Sequence, residues 1–222
     1  MLISNQAFEA INSNRIYDPD LRAKIFEYLN SIFSVIPVNI QSKVPSISNW
    51  SEYCTIKSSF NEYDFIDKNA GIACGPASGV LVVDIDNEEL FKKHLGTDKY
   101  NALLSIDTFK VLSGKNGPHI YFKYPDDGKE YGNRSRKVKI DNQNITIFDI
   151  RGIGGQVLAP GSIHPETGRA YTIMNNAYLQ DAPRWILDFA EKGILHNTSV
   201  NLSDENYSRQ FEFIYDDNFD IN

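Results

Sequence analysis

The sequence has few cysteines, no long apolar run and no N-terminal signal region. It therefore lacks the features of proteins that are stabilised by a structural metal, secreted or embedded in a membrane. Only two of its 222 residues are cysteine, Cys54 and Cys74. Two are too few for a four-cysteine zinc site, and neither has a closely spaced histidine. No apolar run approaches the ~20 residues that span a bilayer, and the first residues lack a basic region ahead of an apolar one. We therefore expect a soluble cytoplasmic protein with two buried reduced thiols, no zinc and no membrane partner.

Positive charge is also scarce, and this argues against a nucleic-acid partner because phosphate binding depends on basic surface. The formal net charge is −7, but residues 203–222 hold six acids and one base and carry most of it. The rest of the chain retains one basic segment, residues 129–139. It contains one acid, Glu130, and five bases: Lys129, Arg134, Arg136, Lys137 and Lys139. We expect this segment to be a loop that contacts phosphates.

The chain is long enough to bury one core without disulfides or a structural metal, since 41% of its residues are hydrophobic. We expect one domain over residues 1–196, followed by an acidic aromatic tail, residues 197–222, that is disordered. The alternative for the tail is a peptide that docks into a basic groove on a partner protein.

Periodicity and cap signals predict the elements of this domain. The predicted helices follow a cap at Asp18, span Asn87 to Leu104, and run to Gly193 from a cap at Asp181 with Pro183 in the first turn. The predicted strands are Val35–Ile40, Gly71–Cys74, Gly79–Asp86, Thr108–Leu112, His119–Tyr124 and Ile145–Ile150. The second and third of these strands are predicted to pair across the turn at 75–78. The order of the elements predicts an α+β domain.

Two aspartates end the most apolar of these strands, Val-Leu-Val-Val-Asp-Ile-Asp. Side chains two residues apart on a strand face the same way, so Asp84 and Asp86 project together. Two carboxylates on one face repel unless a cation lies between them, and hard oxygen ligands suit Mg²⁺ or Mn²⁺. The alternative is a strand that simply ends in solvent, where Asp-x-Asp needs no ion.

A third aspartate lies in the apolar strand Ile-Thr-Ile-Phe-Asp-Ile-Arg. Asp149 and Arg151 share one face of this strand, and an aspartate buried there without a partner would be costly. In one interpretation Arg151 is only its structural partner. In the functional interpretation Asp149 is a third metal carboxylate and Arg151 binds phosphate, which would match a two-metal phosphoryl-transfer site.

A glycine-containing turn, Ser-Gly-Lys-Asn-Gly at residues 113–117, precedes the strand that begins at His119. The free backbone N–H groups of this turn and Lys115 could hold phosphates. The spacing is not that of a P-loop, so an ATPase is not implied. A lone strand histidine is more often structural, and the turn ahead of it is what favours a ligand-binding role for His119.

These motifs occur in an order that resembles the bifunctional primase/polymerase (prim-pol) family of the archaeo-eukaryotic primase superfamily. The segments are Gly-Ile-Ala-Cys-Gly-Pro-Ala-Ser-Gly-Val-Leu-Val-Val-Asp-Ile-Asp, Ser-Gly-Lys-Asn-Gly-Pro-His-Ile-Tyr-Phe and Phe-Asp-Ile-Arg-Gly-Ile-Gly-Gly-Gln-Val-Leu-Ala-Pro-Gly-Ser-Ile-His. Lys43, Pro45 and Trp50 also fit the family's N-terminal signature, so the resemblance covers roughly residues 30–190. No single segment is diagnostic, but the ordered set is specific.

The resemblance implies an RNA-recognition-like catalytic sheet with flanking helices and an N-terminal α/β subdomain. By similarity, Asp84, Asp86 and Asp149 are the catalytic residues that bind two Mg²⁺ or Mn²⁺ ions. His119 would contact the triphosphate of the incoming nucleotide. The further nucleotide-binding candidates are Ser113, Lys115, Arg151, Ser162 and His164, the last two because residues 159–164 are expected to turn back toward the site. A purely structural role for Ser162 and His164 is the alternative.

Two departures from the family's pattern matter. Many relatives place serine two residues before the histidine, where this chain has Gly117. The hydroxyl contact would then come from Ser113 or be replaced by backbone amides. Some relatives also carry a zinc-binding stem, which two cysteines exclude here.

The resemblance implies a DNA primase/polymerase, a template-directed nucleotidyltransferase that extends or starts primers during replication in a prokaryotic cell or in the host of a plasmid or phage. Its partners would be single-stranded or primed DNA, NTP or dNTP, and a helicase or single-strand-binding protein. Lys43 and the basic segment would contact the DNA.

Two alternatives to this function stay open. The first is a non-catalytic nucleic-acid-binding or nucleotide-binding module on the same fold. The second is a metal-dependent phosphoesterase with Asp84 as nucleophile. Phosphatases of that kind carry Asp-x-Asp-x-Thr/Val near the start of the chain, whereas Asn87 and Glu88 follow here.

Overall fold

The structure is a computed structural model that describes residues 1–193 and residue 195. In this part of the chain it contains five α-helices: α1 (Asn5–Ile11), α2 (Pro19–Ile32), α3 (Glu88–Leu95), α4 (Thr97–Ser105) and α5 (Arg184–Lys192). The strands are β1 (Val35–Asn39), β2 (Lys68–Ala73), β3 (Val80–Ile85), β4 (Lys110–Leu112), β5 (Pro118–Lys123), β6 (Arg134–Ile140), β7 (Gln143–Arg151), β8 (Gln156–Leu158) and β9 (Thr172–Asn175). No helix among the described residues is both long and apolar enough to cross a membrane. The predicted tail lies outside the described residues, and the domain limit at residue 196 stays a prediction.

The strands form two antiparallel sheets. The larger sheet has the order β6-β7-β3-β5-β4-β9 and the smaller one the order β1-β2-β8. Mixed helices and antiparallel sheets confirm the predicted α+β class. In the larger sheet β3 lies between β7 and β5, so residues at the end of its apolar run have a neighbouring strand on each side.

The alternation of β3 decides which side of the larger sheet carries the polar site. Leu81 and Val83 pack with residues of α3, α4 and α5 in one core cluster. Val80 and Val82 point the other way and join a second cluster with α1, α2 and the smaller sheet. Asp84 continues the series of Val80 and Val82. The apolar residues that pack on this face end at Asp84, and the Asp84 side chain lines a cavity.

Two predictions about the elements around β3 are wrong. The predicted pairing of β2 with β3 reduces to one bridge, between Gly75 and Val80, because the chain leaves the smaller sheet there and enters the larger one. The helix predicted from Asn87 to Leu104 is split into α3 and α4. Its interruption is Gly96, whose φ of 99° lies outside the helical region.

The cap predictions had mixed outcomes. The Asp18 side chain accepts hydrogen bonds from two backbone N–H groups in the first turn of α2, as predicted. The cap residue of α5 is Pro183, not Asp181. An Asp181 carboxylate oxygen instead lies 3.2 Å from Lys123 Nζ, so an ion pair with β5 replaces the expected cap.

The basic segment predicted as a loop is mostly a strand. β6 pairs with β7 across a turn at Asp141 and Asn142, whose φ values of 49° and 62° suit a tight hairpin. β6 is an edge strand with the sequence Arg-Ser-Arg-Lys-Val-Lys-Ile. Because both faces of it are largely polar, apolar periodicity did not reveal it. The helix α1 and the short strands β8 and β9 were also not predicted.

Both cysteines are free and fully buried, as expected. Burial raises the pKa of the Cys54 thiol and, more strongly, that of Cys74. Thiols with raised pKa values are poor nucleophiles and poor metal ligands at neutral pH. The two cysteines are therefore core residues.

Candidate metal and nucleotide site

Three neighbouring strands bring the predicted acids and histidine into one row. Asp84 on β3 lies opposite Asp149 on β7 and opposite His119 on β5. Residues directly opposite in an antiparallel pair project from the same face. Asp86, two residues after Asp84, projects from that face as well. The sheet thus assembles one site from motifs that are far apart in the sequence.

Asp84, Asp86 and Asp149 form a compact acid cluster. One ligand oxygen from each lies within 4.8 Å of those from the other two. The side chains of Asp84 and Asp149 are only 19% and 13% exposed. Asp149 Oδ1 is buried and has no hydrogen-bond partner among the described residues. Carboxylate oxygens at this spacing, one of them unsatisfied, fit a hard divalent cation such as Mg²⁺ or Mn²⁺.

The acids differ in how readily they ionise. Burial raises the pKa of Asp84, but attraction to His119 and to nearby cations outweighs burial, so the pKa lies below its ordinary value. The pKa of Asp86 is raised to about 7, first by lost hydration and then by the charges of Asp84 and Asp149. Asp86 lines the cavity and keeps exposed surface. Full ionisation of the cluster at neutral pH therefore needs a countercharge.

Arg151 combines the two roles considered for it from the sequence. Its guanidinium forms an ion pair with Asp149, as the structural interpretation expects. It also lines the cavity, and its Nε is buried without a hydrogen-bond partner among the described residues. The ion pair orients the carboxylate, and the guanidinium keeps a donor for an anionic ligand.

His119 is held by the acid cluster. Its Nε2 lies 3.1 Å from Asp84 Oδ1, and its ring packs against Tyr171 with the centroids 5.6 Å apart. The residue is 4% exposed and lines the cavity. Its Nδ1 is buried with no hydrogen-bond partner in the described part of the chain. His119 thus orients Asp84 and retains one nitrogen for a further ligand.

The turn between β4 and β5 is closed by Ser113. Its backbone N–H donates to the Gly117 carbonyl at 2.9 Å, and its hydroxyl oxygen accepts from the Gly117 N–H at 3.0 Å. A Cβ built on Gly117 would lie 2.6 Å from the Ile85 carbonyl oxygen and 3.4 Å from Ser113 Oγ. The Ser113 hydroxyl therefore lies next to the position that the side chain of a serine at residue 117 would start from.

We expect Gly117→Ser to destabilise the protein by about 1–3 kcal/mol, because its Cβ meets rigid backbone at Ile85, between Asp84 and Asp86. The matched control is Gly132→Ser, since a Cβ on Gly132 meets only the Ile153 carbonyl oxygen at 3.9 Å. Denaturant unfolding of both variants measures the difference. Equal stability of the two variants would contradict this account of the turn.

A second loop, residues 164–169, docks on this turn. Lys115 Nζ lies 2.6 Å from Glu166 Oε2, and both side chains are more than half exposed. An exposed ion pair contributes little to stability. Lys115 is thus close to the cavity but engaged with an acid, and a phosphate would have to compete with Glu166 for it.

The structure separates the two secondary candidates on the Ala-Pro-Gly-Ser-Ile-His segment. Ser162 is fully buried, exchanges two hydrogen bonds with the backbone of Ala70 and does not line the cavity, so its assignment to nucleotide binding stays a prediction that this geometry does not favour. His164 does line the cavity. Burial lowers its pKa, and its Nδ1 accepts from the Glu166 N–H at 3.2 Å. The neutral ring therefore carries its proton on Nε2, which has no partner among the described residues.

Most of these groups line a cavity of about 420 Å³, a volume within the range of small-molecule sites. The predicted residues on its wall are Lys43, Asp84, Asp86, Ser113, Lys115, His119, Arg151 and His164. Asp149, Ser162 and the five bases of segment 129–139 are not among its lining residues. Sequence reasoning did not single out Asn133, Gln156 and Tyr171 on the wall. Asn133 and Gln156 lie within segments that were noted for other residues, and Tyr171 lies outside every motif.

Three of the predicted DNA-contacting bases lie on the side of the larger sheet that the helices cover. Lys129 Nζ lies 3.1 Å from a Glu191 carboxylate oxygen at the end of α5. Arg134 donates to the Glu191 carbonyl at 3.3 Å. Arg136, two residues after Arg134 on β6, projects from the same face.

The other two bases, Lys137 and Lys139, project from the opposite face. The register of β6 with β7 shifts just before Lys137, which lies opposite Thr146. Ile147 belongs to the helix-side core cluster, so its neighbour Thr146 faces the other way. Lys137 and Lys139 therefore share a face with the acid cluster.

An acid row, cationic groups and a glycine turn around one cavity define a candidate phosphoryl-transfer site of the type that uses divalent ions. The model of the family described as bifunctional DNA primase/polymerase, N-terminal, matches residues 26–185. The chain therefore belongs to this family, which confirms the resemblance found in its sequence and indicates a nucleotidyltransferase of the primase/polymerase type. No match was found among the curated proteins.

Proposed function

We propose that this chain catalyses template-directed nucleotidyl transfer and so extends or starts nucleic-acid primers during replication. The observation that carries the proposal is the row of Asp149, Asp84 and His119 across three strands, with Asp86 beside it. In the proposed reaction the 3′ oxygen of the primer bonds to the α-phosphorus of the nucleotide. The bond to pyrophosphate breaks, and the hydroxyl proton leaves to solvent. No protein nucleophile is needed.

Asp84, Asp86 and Asp149 are the residues that would hold two Mg²⁺ or Mn²⁺ ions. When bound, such ions favour ionisation of a 3′-hydroxyl and neutralise charge on the departing pyrophosphate. The protein orients the ligands: His119 fixes Asp84 and Arg151 fixes Asp149. Hydrogen-bonded partners of this kind keep ligating carboxylates in place.

The triphosphate would lie along the remaining polar wall of the cavity. His119 Nδ1, His164 Nε2 and Arg151 Nε are buried nitrogens without hydrogen-bond partners among the described residues. Each can serve an anionic oxygen when it carries a proton. Lys115 and the Ser113 hydroxyl border the same cavity. This concentration of unsatisfied nitrogen around three acids supports a ligand that is itself a metal–phosphate complex.

The DNA partner would be single-stranded or primed template, with a helicase or single-strand-binding protein as a further partner. Lys137 and Lys139 share a face with the acids, and Lys43 lines the cavity. Lys129, Arg134 and Arg136 lie on the helix-covered side and are weaker candidates for contact with the same strand. Phosphate contacts would position the template without reading its sequence.

We expect Lys137→Ala combined with Lys139→Ala to weaken binding of primed DNA and to lower the salt slope by about two, one per lost phosphate contact. The matched control is Lys92→Ala with Lys93→Ala on α3, which removes the same charge from the helical layer. Fluorescence anisotropy at several salt concentrations measures both pairs. Equal effects of the two pairs would mean that net charge, not this face, governs binding.

A binding experiment separates this function from a non-catalytic module on the same fold. Both predict that a nucleoside triphosphate binds with Mg²⁺ and that Asp84→Asn removes this binding. Only the catalytic proposal predicts release of pyrophosphate when primed template is added. Metal-dependent nucleotide binding without pyrophosphate release, with either NTP or dNTP, would favour the non-catalytic module.

A further inference from the structure

Part of the cavity wall is apolar, in contrast to the charged wall described above. Val44, Pro45 and Trp50 line the cavity. Val44 is 63% exposed, although an aliphatic side chain gains nothing from contact with water. Metal ions and phosphates bind polar and charged groups and not apolar side chains. This surface therefore fits a different, apolar part of the ligand.

The Trp50 side chain is held in place by packing against buried residues. It opens a short 3₁₀ helix, Trp50–Cys54, and it packs against the buried cluster of Ile36, Cys54 and Ala73. The segment before it is tied to the cavity wall, because Gln156 Nε2 donates to the Lys43 carbonyl at 2.8 Å. The indole is therefore a partly buried, supported surface at the cavity and not a freely moving side chain.

We propose that Trp50, together with Val44, is the contact surface for the nucleobase of the incoming nucleotide. This inference rests on the proposed function and adds a positioning residue to it. A nucleobase is flat and apolar on its faces, and aromatic side chains bind it by stacking with little regard to sequence.

Stacking by Trp50 would allow one site to accept all four nucleotides. The acids and cations contact the triphosphate, which is common to every nucleotide. A π surface tolerates each base, so selection among bases is left to pairing with the template. A template base offers the same chemistry as an incoming base, and the experiment must therefore include both.

The chain has two tryptophans, and this makes a direct test possible. Trp185 packs edge-on against Phe148 at 6.1 Å, in the helical layer on the other side of the sheet. In a Trp185→Phe background, tryptophan emission reports Trp50 alone. We expect this emission to change saturably with nucleoside triphosphate and Mg²⁺. Inorganic tripolyphosphate with Mg²⁺ should bind without the same change, because it has no base.

Two variants complete the test. Trp50→Leu keeps an apolar side chain against the buried cluster but removes the ring, and it should weaken nucleoside triphosphate binding about tenfold. Its affinity for tripolyphosphate should be unchanged. Trp50→Phe should restore most of the lost affinity, since a ring is present again. Thermal unfolding of each variant checks that the effect does not come from a loosened core.

Three outcomes would overturn the inference. One is equal affinity of wild type and Trp50→Leu for the nucleoside triphosphate. Another is equal loss of affinity for tripolyphosphate, which would mean that Trp50 only supports the fold. The third is an emission change with a single-stranded oligonucleotide but not with nucleotide, which would assign Trp50 to the template. Failure of the wild type to bind either phosphate compound would instead refute the proposed function itself.

Discussion

Asp84→Asn should reduce nucleotide incorporation by about three orders of magnitude. The reason is that metal-assisted charge stabilisation contributes several kcal/mol at the transition state, and each ~1.4 kcal/mol is a factor of ten in rate. Asp84 is the central acid of the row, with Asp149 on one side and His119 on the other. The amide has nearly the same shape as the carboxylate, so the fold should survive. Single-turnover incorporation measures the loss of rate, and calorimetric titration of Mn²⁺ measures the accompanying loss of metal affinity.

Asp86→Asn provides the control for stability. The pKa of Asp86 is raised to about 7 by lost hydration and by its acidic neighbours, so its ionised form is unfavourable in the folded protein at neutral pH and above. A neutral amide removes this repulsion, and the melting temperature should rise. Asp84→Asn also loses the negative charge that attracts His119, so its melting temperature should change less. A wild-type rate of primer extension by the Asp84→Asn protein would show that the catalytic assignment is wrong.

His119→Ala should lower the apparent nucleotide affinity about ten- to a hundredfold. A hydrogen bond from an imidazole to a triphosphate oxygen is worth ~1.5–3 kcal/mol, and each ~1.4 kcal/mol is a factor of ten in affinity. The His119 side chain also orients Asp84 at 3.1 Å. Part of the loss should therefore appear in metal affinity measured without nucleotide. Titrations of Mg²⁺ alone, nucleotide alone and both together separate the two contributions.

The matched control for this variant is His94→Ala. His94 lies on α3 in the helical layer, so its removal should leave both affinities unchanged. An unchanged nucleotide affinity of the His119→Ala protein, combined with a large fall in melting temperature, would instead assign His119 a structural role.

The acids could be predicted because strands have a strict period of two. That rule alone places Asp84 beside Asp86 and Asp149 beside Arg151. It says nothing about which strands are neighbours, and the row across β7, β3 and β5 became visible only in the register of the sheet. The order of the motifs along the chain supplied what periodicity could not, through the resemblance to a family that the comparison then confirmed.

Other features were unpredictable for physical reasons. β6 is an edge strand with polar residues on both faces, so no apolar pattern marks it. The change of sheet between β2 and β3 depends on the glycine turn at 75–79 and on packing against distant residues. Ser162 and His164 look equivalent in the sequence, yet only His164 lines the cavity. The Ser162 hydroxyl is instead buried and hydrogen-bonded to the backbone of Ala70. The residues next to Ser162 in the sequence give no indication of this distant contact.

The measurement that tests the central claim most directly is templated single-nucleotide incorporation on a primed DNA with a 5′ overhang. Each nucleotide should be offered singly, as NTP and as dNTP, with Mg²⁺ or Mn²⁺ and with a chelator as control. We expect metal-dependent addition of the nucleotide that pairs with the template, no addition with the chelator, and none by the Asp84→Asn protein at matched concentration. Absence of any incorporation by folded wild-type protein under every combination, or incorporation that persists in Asp84→Asn, would contradict the account.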